Sequence, residues 1–257
     1  MAYALITGAS KGIGKAIATE LASRKTDVLL VARSAENLQA LADELSKKYG
    51  IKTAYLALDL SAENAAQQVF DWCRKENFSI NILVNNAGYG LSGKFDKYTL
   101  EENLNMLQLN MVVPVALTQL FLPQLLLQPK AYILNTASSA AYQSVPGLAL
   151  YAATKAFLLS FSRGLHQELK NKNVLVTCIS PGATDTDFVL RAQLGPKGLK
   201  AASQVNMTPE AVAKIAIKAM LRGKAEVIAG TINKLGAFAS WLLPKGFVER
   251  MAMKIYQ

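Results

Sequence analysis

The chain has 257 residues, of which 51% are apolar and 18% charged. This excludes a disordered chain and provides enough apolar residues for one large core. Only Cys73 and Cys178 could form disulfides, which excludes a disulfide framework and fits a reducing compartment. No basic leader precedes the first apolar segment, and no apolar run approaches the roughly 18 residues of a membrane span. We therefore expect a cytoplasmic protein.

The net charge of +10 is unevenly distributed along the chain. Residues 187–257 hold 11 basic and 4 acidic side chains, whereas the first 186 residues hold 17 and 14. A basic C-terminal third suits an acidic ligand, an acidic carrier or a membrane surface, and it could equally be a solubilising surface. We find no nucleic-acid-binding motif.

The first element is the apolar run Ala2–Thr7, which is typical of a buried parallel strand. A glycine-rich loop and the helical run Lys15–Arg24 follow. Gly8 permits a tight turn, while Gly12 and Gly14 allow backbone and helix to approach a diphosphate closely. The helix N-terminus offers free N–H groups to such a ligand. This order of elements predicts a dinucleotide-binding loop.

A second strand is predicted at Asp27–Ala32, followed by an amphipathic helix to about Tyr49. An NAD-selective site carries an acidic residue at the end of this strand, where it binds the ribose 2′-hydroxyl. Arg33 occupies that place here, with Lys11 in the glycine loop. Two cations suit a 2′-phosphate, so the sequence favours NADPH over NADH, although both could be surface charges.

The third and fourth strands are predicted at Lys52–Leu58 and Ile80–Val84. Asp59 follows the third strand and could accept from an adenine amino group, cap a helix that begins near Ser61, or do both. Small residues at 85–88 (Asn-Asn-Ala-Gly) follow the fourth strand, where a ligand can lie across the sheet edge.

A long helix is predicted over Leu100–Leu127, interrupted by Pro114. Proline has no N–H, so it cannot donate to the carbonyl of Asn110, four residues earlier. We expect a local kink that leaves this carbonyl free to bind water. A kink without functional consequence remains the alternative.

The remaining elements continue the alternation of strands and helices. In chain order they are a fifth strand at Ala131–Thr136, a helix holding Tyr151 that runs to about Asn171, a sixth strand at Val174–Ile179, a helix from Thr208 and Pro209 to about Gly223, and a seventh strand at Ala225–Ala229. Residues 183–207 contain glycine and proline and predict a mobile substrate flap. We therefore predict one domain over residues 1–257, an α/β fold of the doubly wound Rossmann type with about seven mostly parallel strands and helices on both faces.

Tyr151 and Lys155 stand four positions apart, on one face of their helix. A lysine cation beside a tyrosine favours the phenolate and lowers the tyrosine pKa, so the pair could act as a general acid/base. Alternatively, Tyr151 is a core aromatic and Lys155 a solvated residue. His166, the only histidine, cannot supply a metal cluster, and we expect no metal site.

The extension at 231–257 is both apolar and basic. Leu235–Leu243 is too short to span a bilayer. A helix after Pro244 could place Phe247, Val248, Met251 and Ile255 on one face and Glu249, Arg250 and Lys254 on another. Three interpretations stay open for this extension: a pocket wall or dimer contact, an interfacial membrane helix, and core packing.

Taken together, these motifs resemble the short-chain dehydrogenase/reductase family, in the branch of this chain length. The resemblance covers residues 3–230 and rests on TGASKGIG at 7–14, NNAG at 85–88, Asn110, Ser138, YAATK at 151–155 and PGATDT at 181–186. Residues 133–162 look closest to bacterial reductases of undefined substrate, a subgroup similar to long-chain 3-ketoacyl reductases. Thr154 and Ala137 depart from the usual serines without removing a catalytic group.

The resemblance implies roles for four catalytic residues. Tyr151 would protonate the substrate carbonyl, Lys155 would lower the Tyr151 pKa and bind the nicotinamide ribose, Ser138 would polarise the carbonyl, and Asn110 would hold a proton-relay water. Pro181, Gly182 and Thr186 would line the nicotinamide, and Asn86 and Gly88 would contact the adenosine ribose. The expected cofactor contacts are Gly8, Ser10, Lys11, Gly12, Ile13, Gly14, Arg33, Ser34, Asp59, Leu60, Asn86, Ala87, Gly88, Tyr151, Lys155, Pro181, Gly182, Thr184 and Thr186.

We therefore expect an NADPH-dependent oxidoreductase that reduces a carbonyl to an alcohol. The substrate class that we consider first is a 3-oxoacyl thioester, followed by steroid-like or small ketones and aldehydes. The alternative is a dinucleotide-binding regulator or scaffold without turnover. The resemblance also implies a homodimer or homotetramer, through the apolar faces of Leu104–Leu127 and the Tyr151 helix.

Overall fold

The computed structural model describes residues 2–184 and 206–256. Seven strands form one sheet in the order β3-β2-β1-β4-β5-β6-β7, and every neighbouring pair is parallel. The strands are β1 (Tyr3–Thr7), β2 (Asp27–Ala32), β3 (Thr53–Ala57), β4 (Ile80–Asn85), β5 (Ala131–Thr136), β6 (Val174–Ser180) and β7 (Glu226–Ile228). The predicted doubly wound parallel sheet is confirmed.

Helices cover both faces of this sheet. They are α1 (Gly12–Ser23), α2 (Ala35–Tyr49), α3 (Ala65–Lys75), α4 (Leu100–Leu107), α5 (Val113–Leu126), α6 (Ala149–Glu168), α7 (Pro209–Leu221), α8 (Thr231–Leu242) and α9 (Lys245–Tyr256). One core cluster joins α1, α2 and α7 to the sheet, and a second joins α3, α4, α5 and α6 to it. Both sheet faces are therefore covered, which is why β2 and β5 are buried at every position.

The topology determines where a ligand can bind. The chain adds β2 and β3 on one side of β1, then returns to add β4 to β7 on the other side. The two halves diverge between β1 and β4, where Ile6 pairs with both Leu30 and Val84. Open α/β sheets bind ligands at such a switch point, beyond the carboxyl ends of the strands.

The long helical run Leu100–Leu126 is continuous but irregular. Between α4 and α5 the segment Gln108–Val112 is π-helical, and the N–H of Val113 donates to the carbonyl of Gln108, five residues earlier. The interruption predicted from Pro114 is therefore present as a π-helical segment centred on Asn110.

The same run corrects one expectation from the sequence. By length and composition, its 27 residues are long and apolar enough to cross a membrane, so the expectation that no apolar run approaches that length was wrong. Met106, Leu117 and Phe121 of this run are buried in the core against the sheet. Core helices of globular domains have the same composition.

One local prediction also needs correction, and one helix was not predicted. No helix begins near Ser61, because Asp59 accepts from the backbone N–H and hydroxyl of Ser61 in a turn and α3 begins only at Ala65. Asn64 precedes α3 in a left-handed conformation, which separates this turn from the helix. The helix α8 had no counterpart in the sequence predictions, whereas α9 forms after Pro244 as expected.

Candidate active site

A cavity of about 740 Å³ opens at the carboxyl ends of the strands, at the switch point. Among the described residues, its walls include all the expected cofactor and catalytic positions except Gly14 and Asn110, which lie behind the wall. The lining positions are Gly8, Ser10, Lys11, Gly12, Ile13, Arg33, Ser34, Asp59, Leu60, Asn86, Ala87, Gly88, Ser138, Tyr151, Lys155, Pro181, Gly182 and Thr184. Thr186 and most of the predicted flap 183–207 lie outside the described residues.

The glycine loop fits a phosphate group. Gly8 has a φ of +66°, and a Cβ on Gly14 would lie 2.2 Å from the Gly8 carbonyl oxygen, so only glycine permits this close packing. Helix α1 has neither a side-chain N-cap nor an acidic residue in its first turn. Its N-terminal N–H groups and positive dipole end therefore suit an anionic ligand at the cavity wall.

The Asn86 side chain holds this loop to the end of β4. Its amide donates to the carbonyls of Thr7 and Gly8, at 3.0 and 3.3 Å. The hydroxyl of Thr7 accepts from the backbone N–H groups of Asn86 and Ala87, at 2.9 and 3.1 Å. Thr7 was not identified from the sequence, because a threonine at the end of a buried strand carries no signal of its own.

The rim of the cavity carries the two expected cations. Arg33 and Lys11 are both exposed, at the end of β2 and in the glycine loop. Ser34, beside Arg33, caps α2 by accepting from the N–H of Asn37 at 3.4 Å. A guanidinium and an ammonium lining the same cavity are donors suited to a phosphate group.

The buried Lys155 side chain lines the cavity beside Tyr151. Its ammonium donates to the carbonyl of Thr136 at 2.9 Å and lies 5.8 Å from the centroid of the Tyr151 ring. Burial disfavours the charged form and lowers the Lys155 pKa to about 8. Tyr151 is also buried, so the interpretation of a core aromatic beside a solvated lysine is wrong for Lys155.

The Asn110 side chain does not line the cavity but joins Tyr89 to the Tyr151 helix by hydrogen bonds. Its side chain accepts from the N–H of Tyr89 at 3.1 Å and donates to the Tyr89 carbonyl and the Thr154 hydroxyl, at 2.9 and 3.0 Å. The Thr154 hydroxyl also donates to the carbonyl of Tyr151 at 2.7 Å. Because the amide is engaged in this way, a water held by Asn110 would have to bind its backbone carbonyl, which stays a prediction.

Gly88 lets the loop after β4 pack closely against Asn110 and Lys155. A Cβ there would lie 2.9 Å from Asn110 Oδ1 and 3.3 Å from Lys155 Nζ. The glycine that ends the Asn-Asn-Ala-Gly segment thus brings the β4 loop against the floor of the cavity. Tyr89 and Thr154 complete this junction and were not identified as functional, because only the folded chain shows their contacts.

Ser138 is half-buried at the start of a short 3₁₀ turn, Ser139–Tyr142, where its hydroxyl accepts from the N–H of Ala140 at 3.1 Å. Tyr142, at the other end of this turn, is held in place by hydrogen bonds of its hydroxyl. The Tyr142 hydroxyl donates to the Glu226 carboxylate and accepts from the Ser180 hydroxyl at 3.0 Å, and Glu226 in turn pairs with Arg163. Burial, with the Glu226 hydrogen bond, raises the Tyr142 pKa. This hydroxyl therefore stays protonated and keeps the Ser138 turn in place.

Helix α8 forms part of the cavity wall. Ile232, Asn233, Gly236, Ala237 and Ser240 line the cavity from one side of this helix. Asn233 packs so closely on Gly182 that a Cβ there would lie 2.2 Å from the Asn233 amide. Three interpretations were left open for residues 231–257, and for α8 the pocket-wall interpretation is the one that holds.

The fold and the site together define a dinucleotide-binding α/β domain of oxidoreductases. The family profile of the short chain dehydrogenases matches residues 2–195. The chain belongs to the short-chain dehydrogenase/reductase family, and its relatives include 3-oxoacyl reductases and other oxidoreductases.

Three known proteins illustrate the relationship. A very-long-chain 3-oxoacyl-CoA reductase of Anas platyrhynchos is 38% identical over 186 residues, which are 70% of this chain and 59% of that enzyme. An NADP-dependent 3-hydroxy acid dehydrogenase of Schizosaccharomyces pombe is 32% identical, covering 89% of this chain and 90% of that enzyme. A short-chain dehydrogenase from Sphingobium yanoikuyae, solved with NADPH, superposes with a TM-score of 0.83 at 29% identity, covering 100% of this chain and 97% of the other.

Proposed function

We propose that the protein reduces a ketone or aldehyde to an alcohol with NADPH. The observation that carries this proposal is the arrangement of the buried Lys155 ammonium, 5.8 Å from the Tyr151 ring, in a cavity that Ser138 also lines. A cation next to a tyrosine creates the proton donor that carbonyl reduction requires at neutral pH.

Each chain residue would have a defined task. The Ser138 hydroxyl would donate to the substrate oxygen, and Tyr151 would transfer its phenolic proton to that oxygen as negative charge develops. Lys155, held by the Thr136 carbonyl, would stabilise the resulting phenolate. The Asn110 carbonyl would bind the water that returns a proton through Lys155.

The residues around the glycine loop fit NADPH, which would supply the hydride when bound. The uncapped start of α1 would bind the diphosphate, and Arg33 with Lys11 would bind the 2′-phosphate. The S. pombe relative is named NADP-dependent and the S. yanoikuyae structure contains NADPH. Both support the same preference here.

A 3-oxoacyl thioester is the substrate class that we favour. Val145, Leu148 and Ile232 give the cavity apolar walls next to Tyr151. The A. platyrhynchos relative is named a very-long-chain 3-oxoacyl-CoA reductase. An acyl chain would lie along these walls, with the 3-oxo group between Ser138 and Tyr151.

The proposal is tested with a panel of 3-oxoacyl thioesters, steroid ketones and small ketones, measured by loss of NADPH absorbance with NADH as control. We expect NADPH to be oxidised with at least one class, and fastest with the thioesters. If NADPH binds but no carbonyl of any class is reduced, the protein is a dinucleotide-binding regulator or scaffold and the proposal fails. Faster reduction of steroids would overturn only the substrate class.

A further inference from the structure

Helix α8 presents two different faces. Its cavity side carries mostly small residues, whereas its opposite side carries Leu235, Phe238 and Leu242, spaced three and four residues apart so that they share one face. Trp241 lies beside them, with its ring 6.0 Å from that of Phe238. We call these four residues the apolar outer face.

This face is open. Leu235, Phe238, Trp241 and Leu242 are 64%, 59%, 79% and 65% exposed. No residue of α8 is buried. Contiguous exposed apolar surface of this kind marks an interaction site.

Helix α9 follows α8 along the chain and carries further exposed apolar and basic side chains. Phe247 and Met251, four residues apart, are 45% and 53% exposed. Arg250 and Lys254 are exposed among them. At the junction of the two helices, Lys245 lines a small pocket together with Trp241 and Leu242, so a cation lies beside the apolar outer face.

The charged side chains of residues 231–257 are mostly positive. Residues 231–257 hold the cations Lys234, Lys245, Arg250 and Lys254 and the single acid Glu249. None of these four cations is ion-paired with another residue in the described part of the chain. The segment that carries the apolar outer face is therefore net positive, which suits a negatively charged partner.

We propose that α8 and α9 bind the interface of an anionic lipid membrane. The apolar outer face would enter the boundary between headgroups and acyl chains, and the four cations would contact lipid phosphates. Exposed tryptophan and phenylalanine are the side chains that favour this boundary. A second copy is the weaker candidate, because face-to-face pairing would bring two sets of like charges together.

Membrane binding goes beyond the proposed reaction and does not depend on it. Because the other side of α8 lines the cavity, a membrane-bound protein would hold the cavity next to the lipid. A lipophilic substrate could then enter without crossing water.

The test is co-sedimentation of the full chain with vesicles of phosphatidylcholine alone or mixed with phosphatidylglycerol. We expect binding to the mixed vesicles, weakened by salt. The double variant Phe238→Ser and Trp241→Ser should lower the partition coefficient at least about tenfold. Neutralising Lys245 or Lys254 with glutamine should lower it about fivefold for each residue.

Matched controls use exposed residues elsewhere. Phe95 is 70% exposed outside these helices, so Phe95→Ser should leave binding unchanged, as should Lys172→Gln. The chain has only two tryptophans, Trp72 and Trp241. In a Trp72→Phe background, the Trp241 emission should shift to the blue when mixed vesicles are added.

Two results would overturn the proposal. One is binding to mixed vesicles that the outer-face and lysine variants leave unchanged. The other is no binding to the mixed vesicles; if light scattering then shows the Phe238→Ser, Trp241→Ser variant dissociating an oligomer, a second copy is the occupant. Neither result depends on turnover.

Discussion

At the scale of single residues, the proposed chemistry depends on the buried ammonium of Lys155. Burial lowers its pKa from the ordinary 10.5 to about 8, so the cation that would activate Tyr151 is held at a cost in stability. The four-residue spacing in the sequence predicted that Lys155 and Tyr151 share one helix face. It could not show that Lys155 is buried or that the Thr136 carbonyl binds it, because both depend on β5 packing against α6.

This cost predicts that Lys155→Met stabilises the cofactor-free protein while abolishing turnover. Between pH 8 and 10.5 the folded state binds fewer protons than the unfolded state, so the free energy of unfolding rises with pH across this window. Below about pH 8 the full cost remains, and the variant should gain up to about 3 kcal/mol. Urea unfolding at several pH values measures this gain, which should shrink towards pH 10.5.

Lys172→Met is the matched control, because Lys172 is exposed and should change neither stability nor its pH dependence. A Lys155→Met protein that is less stable than wild type at neutral pH would contradict the account.

Cofactor selection is also a matter of single residues. If Arg33 binds a 2′-phosphate, Arg33→Ala should raise the KM for NADPH about 10- to 100-fold, the loss expected for hydrogen bonds to a charged group. The KM for NADH should change little. Steady-state kinetics with both cofactors measures this, with the exposed Arg222→Ala as control. Equal effects on the two cofactors would refute the assignment.

At the scale of elements, local patterns predicted most of the fold. The bounds of β2 and β5 agree to the residue, since each is a short apolar run ended by polar or small residues. Helix α8 escaped prediction because Gly236 interrupts its pattern and no side chain caps its start. It contacts the Ser139–Tyr142 turn instead, where Ser240 donates to the Tyr142 carbonyl at 3.3 Å.

The π-helical segment gives a prediction at this scale. Pro114→Ala would supply the N–H that the Asn110 carbonyl lacks in a regular α-helix. We expect a turnover at least about tenfold lower, with little change in NADPH affinity, because a proton-relay water would lose its acceptor.

Pro123 lies exposed within the same helix, which makes Pro123→Ala the control with an equal change in composition. Turnover and NADPH titration of both variants provide the comparison. Full activity of Pro114→Ala would show that the irregular helix has no role in proton transfer.

At the scale of the whole molecule, the order of the motifs along the chain predicted how they assemble. The ends of β1, β2, β4, β5 and β6 meet at one edge of the sheet, so residues far apart in sequence line a single cavity. The partners that support them were not predictable. Asn233 against Gly182 and Tyr142 against Glu226 are contacts between elements remote in sequence.

The oligomeric state remains a prediction at this scale. Leu104 and Val112 are 52% and 49% exposed, and Phe157 of α6 stacks on Phe161 at the surface. We expect light scattering to give a dimer or tetramer, and Leu104→Lys with Phe157→Lys to give a smaller species. Phe95→Lys serves as the control. A monomeric wild-type protein would contradict this expectation.

The central claim is that Tyr151 donates the proton. Tyr151→Phe removes only the hydroxyl, so turnover should fall by at least about 10²–10⁴-fold, while NADPH titration should give nearly the wild-type affinity. Tyr132→Phe, at another buried tyrosine outside the cavity, should leave both values unchanged. A Tyr151→Phe enzyme that reduces its carbonyl at close to the wild-type rate would contradict the account.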